Sequence, residues 1–340
     1  MPPLNRRELL RGVGAFALAG AAEVAPAGRP YVTCFYQFGR QALDVLAGEG
    51  GLPNGPGYLH VFSHSHPGMR PHPDTAQWVR SKGSSFRYAL ALDVHKYPGW
   101  RTAAEEQLRE WAIAFRQQGL HPDGPADYFA FNEMPTTGAA TPEMRAQVAR
   151  WLRLIHDPGD GPPWRGVFYF TERNLNPAHW VGESDDFWAA LDETCDLVVG
   201  EHYHNGGFVF ARTAAALAEH LMALPRWLAE HQSPAARRIA AEKYLVLHSS
   251  YYGPNVTGWN GLLASEHDLA AVERYFRHLV AATRHHPLGR HRIGFGPLAT
   301  RQYDARALPI LAKVLGEEAR QARSDVGGER WEADSLTPGG

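Results

Sequence analysis

The chain has 340 residues, with 34 Lys and Arg against 36 Asp and Glu, a formal charge of -2 and a hydrophobic fraction of 44%. An apolar fraction close to that of globular proteins, with no block of like charge, excludes a disordered or collagen-like chain. The near-neutral charge also gives no electrostatic footprint for nucleic acid or for an acidic lipid surface.

The first 28 residues have the composition of an export signal. Arg6 and Arg7 are followed by two leucines, an apolar Ala- and Gly-rich run over 12–22 and small residues over 25–27. A charged start, a short apolar run and a small-residue cleavage site are typical of signal peptides, and the arginine pair resembles the twin-arginine kind. We therefore expect an export signal over 1–28 and a secreted or periplasmic protein, with an amphipathic N-terminal helix as the alternative. Later apolar runs fall short of the ~20 residues of a membrane span, so we expect none in the mature protein.

From residue 29 onward, short β-branched or aromatic runs alternate with longer segments of helical periodicity. The predicted strands are Tyr31–Phe38, Tyr58–His64, Phe86–Asp93, Asp127–Asn132, Gly166–Glu172, Leu197–Tyr203, Tyr244–Ser250 and Arg292–Gly296. The clearest predicted helices are Thr102–Gln118, Thr141–Ile155, Asp185–Thr194, Thr213–His231, His267–Arg284 and Ala305–Arg320. Thr141 precedes Pro142, which is typical of a capped helix start.

The alternation predicts a single-domain α/β fold. Strands joined by helices pair in parallel, and eight such units in about 290 residues fit a closed (β/α)8 TIM barrel over 29–323. A doubly wound open sheet is the alternative. The segment 324–340 is polar and rich in Gly and Pro, and we expect a poorly ordered tail there.

The two cysteines, Cys34 and Cys195, are too few for a disulfide framework. Each lies on or beside an apolar run, where free Cys behaves as a small hydrophobic residue. We predict two buried thiols, with a bridge between them as the alternative.

Polar and ionisable side chains stand at the carboxyl ends of the predicted strands. In a TIM barrel these ends meet at one face, where active sites are built. The opposite strand ends carry no comparable set, so the asymmetry predicts a functional site, although any single member can instead be a capping or core residue. From strand one to strand seven the set is Tyr36, His64, His66, Asp93, His95, Asn132, Glu133, Glu172, Glu201, His202, Tyr203, His248 and Tyr251.

The end of strand four, Phe131-Asn132-Glu133, resembles the acid/base signature of the large clan of retaining glycoside hydrolases built on this barrel. The resemblance implies that Glu133 is the general acid/base and that Asn132 bonds the 2-hydroxyl of the sugar. The end of strand six, Glu201-His202-Tyr203, is similar to the clan's use of His or Tyr at that place.

Two positions depart from the clan's pattern. The clan's nucleophile is a Glu at the end of strand seven, where this chain has His248-Ser249-Ser250. The clan's strand-eight Trp is replaced by Gly296-Pro297-Leu298. The resemblance therefore covers the barrel plan and one motif.

Glycoside cleavage generally requires two carboxyl groups, so Glu133 needs a partner. Strands four and six open into the same mouth, which makes Glu201 the first choice for nucleophile or base, followed by Glu172 and then Asp93. We predict Glu133 and Glu201 as catalytic and a carbohydrate as substrate, because imidazoles, amides and flat rings suit sugar hydroxyls and ring faces. The predicted substrate-binding residues are Tyr36, His64, Asp93, His95, Asn132, Glu172, His202, Tyr203, His248 and Tyr251.

This main prediction includes no metal and no cofactor, and two alternatives stand beside it. His64-Ser65-His66 resembles the metal-binding pair of amidohydrolases, and His95, His202, His204 and His248 could complete a zinc site. The amidohydrolase pair belongs on strand one, however, and the strand-eight Asp of that group is missing here. The other alternative is a carbohydrate-binding barrel without catalysis.

Overall fold

The computed structural model describes residues 29–36, 40–63, 74–131, 141–159, 161–182, 184–204, 206–250, 269–286, 289, 291–296 and 307–334. Eight parallel strands close into a barrel in which each strand lies next to its neighbours in sequence and β1 pairs with β8. The predicted (β/α)8 barrel is confirmed. The strands are β1 Tyr31–Tyr36, β2 Tyr58–Ser63, β3 Phe86–Leu92, β4 Tyr128–Phe131, β5 Gly166–Thr171, β6 Cys195–His204, β7 Tyr244–Ser250 and β8 Arg292–Phe295.

Helices on the outside of the barrel connect these strands. In the part of the chain that the structure describes, no helix has both the length and the apolar character needed to span a membrane. The helices are α1 Arg40–Leu46, α2 Asp74–Arg80, α3 Glu105–Gly119, α4 Pro142–His156, α5 Asp185–Thr194, α6 Gly206–Phe210, α7 Ala214–Leu221, α8 Ala223–Glu230, α9 Pro234–Arg238, α10 Leu269–Thr283 and α11 Ala307–Asp334.

Two apolar cores lie on opposite faces of the sheet. The outer core contains strand residues such as Val198 together with helix residues such as Leu221 and Trp188. The buried members of the inner core are strand residues alone, such as Val199 of β6 and Leu247 of β7, so this core fills the barrel lumen. Successive residues of a strand point to opposite faces, and this alternation decides which strand-end side chains enter the mouth.

The predicted strands agree with the observed ones to within two residues at each described end. Thr141 caps α4 as predicted, because its hydroxyl accepts a hydrogen bond from the backbone N–H of Met144 at 3.3 Å. The single helix predicted over Thr213–His231 is instead two helices that meet at Met222. Pro225 explains the break, since proline has no N–H and its ring clashes with the carbonyl of the residue four positions earlier.

The carboxyl-terminal helix is longer than predicted. It continues from Ala307 to Asp334, past the expected end at Arg320 and into the segment expected to be a poorly ordered tail. The prediction rested on Gly and Pro content, but Pro338 and the last two glycines lie beyond the described helix. Both cysteines are free and buried, as predicted.

Gly200 marks a close approach between β6 and β7. A Cβ atom there would lie 2.0 Å from Tyr244 Oη and 3.1 Å from Leu175 Cδ2. We expect Gly200→Ala to lower the free energy of unfolding by about 1–3 kcal/mol, because overpacking forces neighbouring groups apart. Urea denaturation followed by tryptophan fluorescence measures this.

Tyr244→Phe provides the control for this clash. The Tyr244 hydroxyl is buried and has no hydrogen-bond partner among the described residues, so its removal alone costs little. In the double variant we expect Gly200→Ala to cost less than it does in the wild type. An equal cost in both backgrounds would contradict the proposed contact.

Candidate active site

Glu201 points into the barrel lumen near the carboxyl end of β6. It stands two residues after Val199 of the inner core, in register with Thr171 of β5 and Leu247 of β7. Its side chain has no exposed surface. A buried carboxylate is strongly desolvated, so it must be held by hydrogen bonds or opposite charge.

Ser249 of β7 supplies one such hydrogen bond. Its hydroxyl donates to Glu201 Oε1 at 2.7 Å, and Ser249 is fully buried on the same lumen face. Gly296, just after β8, leaves the space for it, since a Cβ atom there would lie 2.1 Å from Ser249 Oγ. A tryptophan at position 296 is therefore incompatible with the observed position of Ser249.

A neutral polar layer fills the lumen on the β1, β2 and β5 side. The hydroxyl of Tyr169 lies 3.2 Å from Cys34 Sγ and bonds Ser63, and the ring of Tyr36 packs 5.0 Å from that of Tyr169. Burial raises the pKa of the Cys34 thiol to about 12 and that of Tyr169 well above its usual value. The negative charge of Glu201 also raises the Cys34 pKa, which places the carboxylate within electrostatic reach of this layer.

A cavity of about 300 Å³ adjoins Glu201. It lies between the end of β6, the turn after β5 and the junction of α7 and α8, and it is at the small end of the range for ligand pockets. Polar and apolar groups share its wall, as in sites that bind small polar molecules. The lining residues are Leu175, Asn176, Glu201, His202, Tyr203, His220 and Ala223.

His202, His204 and His248 lie on the helix-facing side of the sheet. The ring of His204 stacks on Phe208 of α6, and the ring of His202 lies 5.8 Å from that of His220 in α7. His248 bonds Thr283 of α10.

The hydrogen bonds of this histidine cluster fix its tautomers. Thr283 Oγ1 donates its one proton to the Leu279 carbonyl at 2.9 Å, so it accepts from His248 Nε2 at 2.7 Å. Because burial lowers the pKa of His248 and keeps its ring neutral, Nδ1 carries no proton, and His204 Nε2 donates to it at 3.3 Å.

Burial keeps the cluster neutral. Desolvation lowers the pKa of His204 to about 3 and the pKa of His202 and of His248 well below the usual value, and neighbouring imidazoles lower all three further. His202 Nε2 is buried and has no hydrogen-bond partner among the described residues.

The predicted site residues of β1, β6 and β7 lie on both faces of the sheet. Tyr36, Glu201 and Tyr203 share the inner face of the barrel, and Glu201 and Tyr203 also line the cavity. His202 lines the cavity from the helix side, while His248 is fully buried against α10 with both ring nitrogens engaged. The structure therefore does not bring His248 to the mouth, because neighbouring strand residues face opposite ways.

Asp93 follows β3 and is half-buried. Tyr97 has a pKa raised by burial and further by the charge of Asp93, so these two side chains are close. Tyr97 packs against Trp151 of the outer core. The remaining predicted groups lie outside the described residues or side chains, so their pairing with Glu201 stays a prediction. They are His64, His95, Asn132, Glu133, Glu172 and Tyr251.

Ser249 and His220 are neighbours of the site that the sequence did not predict, whereas His204 was predicted only for the metal alternative. A signal for Ser249 was present, since it stands two residues after Leu247 and four after Leu245 on a strand whose alternate residues are apolar. His220 is brought in by the packing of α7 and has no such signal.

No group of three or more His, Cys, Asp or Glu side chains among the described residues is arranged to hold a metal ion. His64 and His66, the pair on which the metal alternative rests, lie outside those residues.

Neither a protein-family profile nor a curated protein sequence matches the chain significantly. Solved structures do resemble it, and glycosidases are among them. The structure of a fungal β-1,4-galactanase aligns over 83% of this chain and 98% of its own at 9% identity, with a TM-score of 0.51. A chitinase from Chromobacterium violaceum aligns over 84% and 99% at 12% identity with a TM-score of 0.49, and an endo-β-N-acetylglucosaminidase from Cordyceps militaris over 84% and 91% at 10% with 0.46. At these identities the likeness shows a shared barrel fold, and the expected resemblance to glycoside hydrolase barrels is confirmed at that level.

The neutral buried histidines predict an acid-sensitive fold. A histidine whose pKa is 6.5 in the unfolded chain and about 3 or 4 in the folded protein, as for His204 and His60, takes up its proton only on unfolding. Its contribution to stability is therefore complete above pH 6.5 and is lost as the pH falls toward 4, by up to about 1.4 kcal/mol per pH unit for each group. Urea denaturation at a series of pH values measures the slope.

His204→Gln tests whether His204 causes part of this pH dependence, because glutamine can still donate an N–H to His248 Nδ1 but does not titrate. We expect a shallower loss of stability between pH 6.5 and 4 in this variant. His121, whose side chain is 42% exposed, provides the matched substitution His121→Gln as a control. Identical slopes in all three proteins would show that His204 does not contribute.

Proposed function

We propose that this protein is a glycoside hydrolase in which Glu201 is the nucleophile or base and Glu133 the general acid/base. The observation that carries the proposal is the buried Glu201 carboxylate, which projects into the lumen at the carboxyl end of β6 and borders a cavity. Active sites of this fold lie at that end of the barrel. The fold shared with β-1,4-galactanases supports the same reaction class.

The chemistry requires the two carboxyl groups to divide their tasks. One protonates the leaving oxygen while the other attacks the anomeric carbon or activates a water, and the transition state resembles an oxocarbenium ion. Glu201 suits the second task, because a carboxylate in a water-excluded lumen stabilises positive charge more strongly than one in water. The hydrogen bond from Ser249 favours its ionised form.

The substrate in this proposal is a glycan or glycoside whose reacting sugar lies at the mouth. Asn176, His202, Tyr203 and His220 offer polar atoms to hydroxyl groups, while Leu175 and Ala223 offer apolar contact to ring carbons. The neutral imidazoles can both donate and accept, which hydroxyl recognition needs.

Glu201→Gln tests the proposal on a panel of aryl glycosides together with galactan, arabinan and chitin oligosaccharides. Glutamine keeps the size of the side chain and an acceptor for Ser249, but it cannot attack or act as a base. We expect kcat/KM to fall about 10²–10⁴-fold in both Glu201→Gln and Glu133→Gln, with sugar binding retained by calorimetry.

Glu230→Gln is the matched control, since Glu230 is exposed on α8 and far in sequence from both carboxylates. We expect it to keep wild-type activity. Sugar binding without hydrolysis by the wild-type protein would favour a carbohydrate-binding barrel instead. Stoichiometric zinc in the purified protein, with activity lost on chelation, would favour the amidohydrolase alternative.

We further propose that residues 1–28 direct export. Changing both Arg6 and Arg7 to Lys keeps the charge but removes the arginine pair on which the twin-arginine resemblance depends. We expect the full-length variant to stay inside bacterial cells in which the wild type is exported, as measured by immunoblots of the cell fractions. Equal export of both proteins would contradict a twin-arginine route.

A further inference from the structure

Glu201 and Ser249 form a contact between neighbouring strands that the sequence motifs do not indicate. Both side chains are fully buried, and the hydroxyl lies 2.7 Å from Oε1. Hydrogen bonds to an ionised acceptor are about twice as strong as neutral ones. Removing such a donor therefore strongly destabilises a buried carboxylate. This one bond therefore has a large effect on where the carboxylate lies.

The backbone fixes the position of Ser249. Ser249 pairs in register with Tyr203 in the ladder between β6 and β7, and the N–H of Gly296 bonds the neighbouring His248 carbonyl at 2.8 Å. Three consecutive strands thus hold the hydroxyl beside the carboxylate. A serine on a paired strand loses little further freedom when it makes this bond.

Gly296 leaves the volume that the serine occupies. A Cβ atom on Gly296 would lie 2.1 Å from Ser249 Oγ and 3.0 Å from Ser249 Cβ. Any side chain at position 296 would push the hydroxyl out of its present place. The glycine is thus part of the arrangement that directs the hydroxyl toward Glu201.

We propose that Ser249 is a positioning residue that holds the Glu201 carboxylate in its reactive orientation, and that Gly296 provides the space for the Ser249 hydroxyl. The inference rests on the proposed role of Glu201 in glycoside cleavage. Ser249 does not touch substrate in this proposal. It acts through Glu201 alone.

The experiment compares Ser249→Ala, Ser249→Thr and Gly296→Ala with the wild-type chain. We expect Ser249→Ala to lower kcat about 10- to 100-fold with little change in KM, because loss of a hydrogen bond to a charged group corresponds to one to two factors of ten. Ser249→Thr keeps the hydroxyl and suits a strand, so it restores most of the rate. We expect Gly296→Ala to lower kcat to a similar extent as Ser249→Ala, because the added methyl group displaces the Ser249 hydroxyl.

A second measurement does not depend on activity. The carboxyl carbon of Glu201 is followed by NMR in protein labelled with [13C]glutamate, and its signal is identified by its loss in Glu201→Gln. We expect the midpoint of its protonation to rise by about one pH unit or more in Ser249→Ala, since the removed donor stabilises the ionised form. Ser63→Ala is the matched control, because Ser63 is a buried lumen serine that bonds Tyr169.

The two measurements separate the possible failures. An unchanged kcat and an unchanged Glu201 midpoint in Ser249→Ala would overturn the positioning role. A shift of the midpoint in Ser63→Ala equal to that in Ser249→Ala would also overturn it, since a general loss of packing would then be the cause. If the wild type cleaves no glycoside, the proposed function fails, while the NMR midpoint still decides whether Ser249 positions Glu201.

Discussion

A carboxylate in the lumen of a closed barrel is the constraint on which the candidate site depends. Moving an ionised group out of water costs several kcal/mol even after the surroundings relax, so Glu201 requires groups that stabilise it. Ser249 provides a donor at 2.7 Å, and Glu201 also lines a cavity of about 300 Å³. Burial strengthens the electrostatic effect of the carboxylate on neighbouring groups.

The two faces of β6 serve different purposes. Glu201 and Tyr203 face the lumen, where the inner core is made of strand residues. His202 and His204 face the helices, and the hydrogen-bonded chain through His248 and Thr283 ties the end of the sheet to α10. Among the described histidines, His204 and His248 are part of the packing between sheet and helices, while His202 and His220 line the cavity.

The similarity to the fungal β-1,4-galactanase structure, at 9% sequence identity, shows a shared barrel fold. Such a likeness fixes the architecture and leaves the chemistry to particular side chains, since this fold supports many reactions. The chain also differs from the retaining clan at strands seven and eight. Ser249 stands on the lumen face near the carboxyl end of β7, and Gly296 follows β8. The missing side chain of Gly296 leaves the space that the Ser249 hydroxyl occupies.

The sequence by itself determined the barrel, because the spacing of apolar runs, helix caps and loops is local information. It located the eight strands, the cap at Thr141, the buried thiols and the position of Glu201 at a strand end. The alternation along β6 also predicts that Glu201 and His202 point to opposite faces of the sheet, since adjacent strand residues do so. The break of the helix at Met222 was readable from Pro225.

Only the tertiary structure decided which side chains meet across strands. The bond between Glu201 and Ser249, the space left by Gly296 and the approach of His220 all join residues that are far apart in the chain. Such contacts depend on the register between strands and on the packing of helices over them, and both are set by the closure of the whole barrel. A single sequence has no local signal for distances of that kind, because they arise only when all eight strands are in place.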